Sequence, residues 1–409
     1  MNILVVSQYF WPENMRINDM VVGFQARGHK VTVLTGVPNY PEGKVFAEYE
    51  QHPELFEQYA GADVIRIPMF ARGRSSLRLM LNYASFFTSA SVFGAYKLRG
   101  RQFDAIFVYA VSPIMAAIPA LVIGRLKKAP VYVWILDLWP ETLTAVGVLN
   151  NRRLLSMVGK MVSWIYNRTD YLLLQSQGFF ENVKRYCTQP IDEQRLVYLP
   201  SWAEDGFSES GSDVTELFVA DASVFTVVFA GNLGESQDFP AILDAAKQLQ
   251  DEGVAIRWVI VGDGRMSEWL REQVAERELS SVLLLGRHSL DKMPALFNSA
   301  DALLVSLRTN EVFAKTIPGK VQAYLAAGRP IIGMIDGEAA RVIHEAQAGL
   351  TCMSGDANGL ASAVSEMANM SPNQLQAMGL SGREYYQNEF DKEKLFDRLE
   401  VLFRQGVKR

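Results

Sequence analysis

Cysteine, histidine and closely paired acids are all scarce in this chain. Its 409 residues include two cysteines, Cys187 and Cys352, far apart in sequence. That excludes a disulfide framework and a cysteine-based zinc site, and makes a reducing cytoplasm the expected compartment. There are four histidines, His29, His52, His288 and His344, which leaves little material for imidazole acid–base chemistry. No Asp-x-Asp pair occurs anywhere, so the usual carboxylate set for a divalent ion is missing. A complete Gly-x-Gly-x-x-Gly is absent as well, which argues against a nicotinamide dehydrogenase. Long apolar runs are lacking. Ser75 to Tyr96 comes closest, but Arg78, Asn82 and several hydroxyl residues interrupt it. A net charge of -5 points away from nucleic acid as a partner.

What is present is an alternation of short β-branched runs with longer helical patterns, the mark of parallel sheets with crossover helices. Thirteen strands are expected. Seven fall in the first half: Ile3–Val6, Lys30–Thr35, Val64–Ile67, Ala105–Tyr109, Val131–Leu136, Tyr171–Leu174 and Leu196–Leu199. Six fall in the second: Thr226–Ala230, Arg257–Val261, Val282–Leu285, Ala302–Ser306, Ile331–Met334 and Gly349–Cys352. Met1–Ser7 has no cationic leader region and reads as a buried first strand. The Gly/Ser-rich stretch within Pro200–Ser223 reads as a linker. The expected organisation is an α/β chain of two doubly wound, Rossmann-like domains, 1–200 and 201–384, facing a cleft. A charged amphipathic helix over Arg383–Phe403 closes the chain, and residues 385–409 are expected to pack back on the first domain.

Chemistry concentrates at a few strand ends. In Lys315-Thr-Ile-Pro-Gly-Lys320, Pro318 and Gly319 open a helix whose free N–H groups and dipole favour an anion. Lys315 and Lys320 add mobile positive charge, and Gln322 lies one step further on. A diphosphate cradle without a metal is one reading, and an ordinary turn with solvated lysines is the other. Gly231-Asn232-Leu-Gly234 follows a strand directly, as does Gly262, and missing side chains there let backbone approach a ligand. Asp137 ends the very apolar Val131–Leu136 strand, so it either faces the cleft or caps the next helix.

Several segments together resemble a retaining glycosyltransferase of the GT4 type with the GT-B fold. They are Tyr9-Phe-Trp-Pro-Glu-Asn14, Arg27-Gly-His-Lys-Val-Thr-Val-Leu-Thr35, Pro38-Asn-Tyr-Pro-Glu-Gly-Lys44, Asp137-Leu-Trp-Pro-Glu141, Phe229-Ala-Gly-Asn-Leu-Gly234, Val261-Gly-Asp-Gly264, Ile317-Pro-Gly-Lys320 and Ala326-Ala-Gly-Arg-Pro330. Their order and spacing carry the likeness over almost the whole chain. It is nearest to the O-antigen and capsule subgroup that transfers N-acetylated amino sugars, such as fucosamine transferases. The resemblance implies a UDP-sugar donor, no metal or other cofactor, and a polyprenyl-diphosphate-linked sugar acceptor. It implies an acceptor-binding first domain, a donor-binding second domain and a role in lipopolysaccharide or capsule synthesis at the inner membrane. It also implies a place for Asp137 and Glu13 among the catalytic and acceptor-side groups.

The pattern is broken in three places. The family's Glu-x7-Glu pair falls here on Lys315 and Ala323. Its Arg and Lys after the second-domain glycine become Asn232 and Gln237. Its Gly-Gly after the first strand becomes Met15-Arg16. Glu338, after a late strand, is a candidate replacement carboxylate, or simply a helix-start glutamate favoured by the dipole. A sugar-nucleotide epimerase and a non-catalytic sugar-nucleotide-binding subunit therefore stand as competing readings.

One further absence is local. Between Asp63 and Asp104 there is no acidic residue, while Arg66, Arg72, Arg74, Arg78, Lys97, Arg99 and Arg101 all fall there. Basic ends around an apolar helix suit an anionic membrane interface. Arg72, Arg74 and Arg78 are the expected contacts, and peripheral association the expected state.

Overall fold

A computed structural model describes residues 1–73, 76–145, 147–204, 206, 221 and 223–406, with nothing described of the Ser76 and Leu77 side chains. Arg74 and most of the expected linker lie outside the described residues. The chain forms two compact units, Met1–Leu199 with Glu393–Arg409, and Pro200–Lys392.

The first unit holds eight strands: β1 Asn2–Val6, β2 Lys30–Gly36, β3 Gln58–Tyr59, β4 Ala62–Ile67, β5 Ala105–Ala110, β6 Val131–Ile135, β7 Tyr171–Leu174 and β8 Leu196–Tyr198. They run in the order β3-β4-β2-β1-β5-β6-β7-β8. All neighbours are parallel except the two-residue β3, which turns back antiparallel on β4. All seven strands expected in this half are present, and β3 is an addition. Residues Ile3 to Val6 are fully buried, because a parallel strand covered by helices on both faces needs apolar side chains in both directions.

The second unit holds β9 Phe225–Ala230, β10 Ile256–Val261, β11 Val282–Gly286, β12 Ala302–Ser306, β13 Ile331–Met334 and β14 Gly349–Cys352. Their order is β11-β10-β9-β12-β13-β14, all parallel. Alternate residues of each strand feed two cores. Val228 and Ala230 pack on the side of the Gly319–Ala327 helix. Val227 and Phe229 pack on the side of the Phe239–Asp251 helix. In each unit the winding reverses beside the first strand, between β1 and β5 and between β9 and β12. Such reversals part the loops at the carboxyl ends of the strands and leave a crevice there.

The chain end differs from expectation. Instead of one helix over Arg383–Phe403 there are two, Pro372–Glu389 in the second unit and Lys392–Gly406 in the first. The break comes at Phe390, which is buried and has left helical geometry at φ -120°. The final helix lies on the Arg16–Ala26 helix. Phe396 fills the space that Gly23 leaves open, and Arg27 stacks 5.1 Å over the Phe396 ring while pairing with Glu393 at 2.6 Å.

Candidate functional site

In the second unit, the loops that follow β9 and β12 are tied together. The Ser306 hydroxyl donates to the Gln237 carbonyl at 2.7 Å, and the Arg308 amide to the Ser236 carbonyl at 2.8 Å. The glycines pack backbone on backbone. Gly231 and Gly262 both have φ of 141°, and a Cβ on Gly262 would lie 1.8 Å from the Gly231 carbonyl oxygen. Only glycine fits there. Gly234 faces the Asn232 side chain, which is exposed, and a Cβ at Gly319 would meet open space.

Pro318 caps the Gly319–Ala327 helix, so the Gly319 and Lys320 N–H groups have no helical partner, while the Val321 amide donates to the Pro318 carbonyl at 2.9 Å. Lys320 lies in this first turn but does not extend into solvent. Its Nζ donates to Gln237 Oε1 at 2.6 Å and sits 3.6 Å from the centre of the Phe229 ring. Its Cε would be 2.7 Å from a Cβ on Gly231, so the ammonium stem lies directly beneath that loop. Burial lowers the Lys320 pKa to about 7. An amide and an aromatic face stabilise a cation far less than a carboxylate does.

Gln322, two residues further on, is fully buried, and neither of its amide atoms has a protein partner. Lys315 ends the short turn Phe313–Lys315, which packs on Gly337: a Cβ at Gly337 would lie 2.0 Å from the Ala314 carbonyl oxygen. Glu338 opens the next helix, but its carboxylate is already taken. Arg341 grips it at 3.0 and 3.3 Å and also bonds Glu345 at 2.6 Å. Of the two readings of Glu338, replacement carboxylate or helix-start glutamate, the ion-pair ladder along its own helix accounts for the second.

In the first unit, Ser7, Gln8, Tyr9, Tyr109 and Ser112 line a small cavity where the winding reverses between β1 and β5. Asp137 follows β6 and takes a hydrogen bond from the Ser112 side chain, whose oxygen accepts from Trp139 Nε1 at 2.9 Å. Burial pushes the Asp137 carboxyl above the ordinary aspartate range. Ser112 is a partner that sequence reasoning missed. Its position just past β5, beside the reversal, was the available signal.

The Glu13 Oε2 accepts from the Phe10 amide at 2.9 Å, and its Oε1 from the amides of Asn39 and Tyr40 at 2.8 and 2.7 Å. Burial pushes the carboxyl up while those three bonds favour its charged form. The side chain is a clamp joining the loops after β1 and β2.

Arg72 departs from its expected place. It lies half-buried, 5.3 Å over the Tyr40 ring, with a side-chain bond to the Tyr9 hydroxyl. Arg78 is exposed, and Arg74 lies outside the described residues. Among the described residues, no group of three or more His, Cys, Asp or Glu could hold a metal ion, and no helix is long and apolar enough to cross a membrane.

Comparison with known proteins follows the same division. Residues 14–202 match the "Glycosyl transferase 4-like domain" and residues 224–370 match "Glycosyl transferases group 1". The chain is 25% identical over 345 residues to the putative colanic acid biosynthesis glycosyl transferase WcaI of Escherichia coli, covering 80% of this chain and 82% of that protein. HepE of Anabaena, solved with UDP and glucose, superposes with a TM-score of 0.67 at 14% identity, over 98% of this chain and 99% of the other. The lipopolysaccharide outer core galactosyltransferase WaaB in its apo form superposes with a TM-score of 0.65 at 11% identity, over 99% of this chain and 100% of the other. Two Rossmann-like units with these matches across most of its length place the chain among the group 1, GT4-like glycosyltransferases of the GT-B fold.

Proposed function

We propose that this glycosyltransferase moves a sugar, an N-acetylated amino sugar in our reading, from a UDP-sugar to a polyprenyl-diphosphate-linked acceptor, and that it works without a metal. The reading rests above all on Lys320. A lysine stem half-buried at a helix start, under a glycine loop and beside an amide and a ring, is a poor place for a cation unless an anion arrives. A donor diphosphate there would be met by the Lys320 ammonium, the Gly319 and Lys320 N–H groups at the helix start and the helix dipole. Charge building on the leaving UDP would be stabilised by the same groups, the part a divalent ion plays elsewhere. UDP as the nucleotide is supported by HepE, solved with UDP and glucose. A place in surface-polysaccharide synthesis is supported by the likeness to WcaI. Asp137, raised toward protonation beside Ser112, is the proposed polar group at the acceptor side.

The test is release of UDP from a panel of UDP-N-acetylhexosamines, with and without a polyprenyl-diphosphate-sugar acceptor, in EDTA. Acceptor-dependent release that survives chelation is the expected result and names the donor. Binding without turnover would overturn catalysis in favour of a non-catalytic subunit, and an epimerised donor sugar would reveal an epimerase.

A further inference from the structure

Three long helices on one face of the first unit contain no carboxylate. Strands β4 to β7 succeed one another in the same direction across the sheet, so right-handed crossovers put their connecting helices on one face. The long ones are the helical run from Ser76 to Lys97, the Ala117–Lys127 helix and the Arg152–Arg168 helix, with the middle one packed between its neighbours; the short Glu141–Ala145 helix adds one acid, Glu141, which accepts from the Tyr186 hydroxyl at 2.8 Å. Not one Asp or Glu occurs in any of the three long helices, yet they carry eight Lys and Arg residues in a chain whose 45 acids outnumber its 40 bases. Four of the cations, Arg152, Arg153, Lys160 and Arg168, are exposed on the last helix. The layer on the opposite face is mixed: the Lys392–Gly406 helix alone holds Glu393, Asp397 and Glu400. Acids also return at the next helix along, with Glu181.

The same three helices expose large apolar side chains. Met80, Leu126 and Met157 are each 66% exposed, one on each helix. Val92 and Tyr96 extend the apolar strip along the first, and Trp164, under the Arg168 guanidinium at 4.6 Å, extends it along the third. Arg99 stacks on Tyr96 at 4.3 Å in the same manner. Cations standing on aromatic rings, among scattered aliphatic tips, suit the interface of a bilayer. The rings and methionines enter the headgroup layer, and the charges meet lipid phosphate. Nucleic acid would answer the charge but not the exposed methionine and leucine tips.

We propose that this whole three-helix layer docks on an anionic membrane surface, with the Arg152–Arg168 helix as its main electrostatic contact. This deepens the lipid-linked-acceptor reading and rests on it for its purpose. It also moves the contact away from Arg72, which the first unit holds for itself.

The experiment is co-sedimentation of the full chain with phosphatidylethanolamine vesicles, with and without phosphatidylglycerol. UDP binding is measured by calorimetry on the same samples. Expected is phosphatidylglycerol-dependent binding that weakens with added salt. The double variant Arg153→Glu/Lys160→Glu loses about tenfold or more in vesicle affinity. Leu126→Ser/Met157→Ser also loses vesicle binding, with UDP binding unchanged in both variants. Reversing charge on the opposite layer, Lys394→Glu/Arg398→Glu, leaves vesicle binding as in the wild type. The proposal is overturned if the wild type ignores phosphatidylglycerol, if Arg153→Glu/Lys160→Glu binds as before, or if the opposite-layer variant loses as much. Wild-type vesicle binding without any UDP binding would instead count against the donor assignment and leave the docking face standing.

Discussion

The Lys320 ammonium lies 2.6 Å from the side-chain oxygen of Gln237. The bond joins the loop after β9 to the first turn of the Gly319–Ala327 helix and holds the lysine charge beside Gly231.

A pH dependence follows. With its pKa lowered to about 7, Lys320 is charged below neutrality and largely neutral above it in the unliganded protein. UDP affinity of the wild type should therefore fall as pH rises from 6 to 9, and Lys320→Met should lower affinity and flatten the profile. Stability runs the other way. The unfolded chain holds this proton up to the ordinary lysine range, so the cost of burying it is fully present below about pH 7 and fades as pH rises. Lys320→Met should be more stable than the wild type at pH 6, with the gap closing toward pH 10. Calorimetric titration and denaturant melts across that range check both signs.

Asp137→Asn separates chemistry from folding. The folded state raises the Asp137 pKa by burial, so at pH 7 the protein bears a carboxylate it disfavours. Asparagine retains an oxygen that can accept from Ser112 and removes that cost. The variant should match or exceed wild-type stability at pH 7, and the difference should vanish as pH falls into the carboxylate range. Transfer should drop by about 100-fold or more if the carboxyl handles a proton. A variant with full activity would remove Asp137 from the mechanism.

How far the sequence could be read depends on the kind of signal. Buried parallel strands such as Ile3–Val6 announce themselves as unbroken apolar runs, whereas β3, with two residues, is too short to show any period. Charge is visible in sequence, but its partner is not. Arg72 looks like one of seven equivalent cations until Tyr9 and Tyr40 are folded against it. Glu13 looks like a free carboxylate until three backbone amides from two loops converge on it. The capture of Glu338 by Arg341, by contrast, was readable, because three residues along a helix put the two on one side.

Gly262 offers a test of the glycine stack. Alanine there would combine a strained φ with a Cβ 1.8 Å from the Gly231 carbonyl, so one loop must move. Gly262→Ala should cost more than about 3 kcal/mol and weaken UDP binding together with stability. At Gly319, where a Cβ meets nothing within 4 Å, alanine should leave stability nearly unchanged. Any loss of UDP affinity there then reports ligand contact alone, and the pair of melts and titrations tells scaffold from contact.

The last helix earns its place on the first unit through Phe396. Its ring is fully buried beneath the Arg27 guanidinium and touches Phe24 at a centroid distance of 5.8 Å. Gly23 makes this approach possible, since a Cβ there would fall 1.9 Å from the Phe396 ring edge. Phe396→Ala should destabilise the first unit by about 3–5 kcal/mol, the usual cost of an emptied aromatic site. Gly23→Ala alone should destabilise by overpacking. Because the clash and the cavity occupy the same space, Gly23→Ala combined with Phe396→Ala should be less damaging than the two single costs added. Denaturant melts of the four proteins give the coupling, and strict additivity would mean that Gly23 and Phe396 do not share that contact in solution.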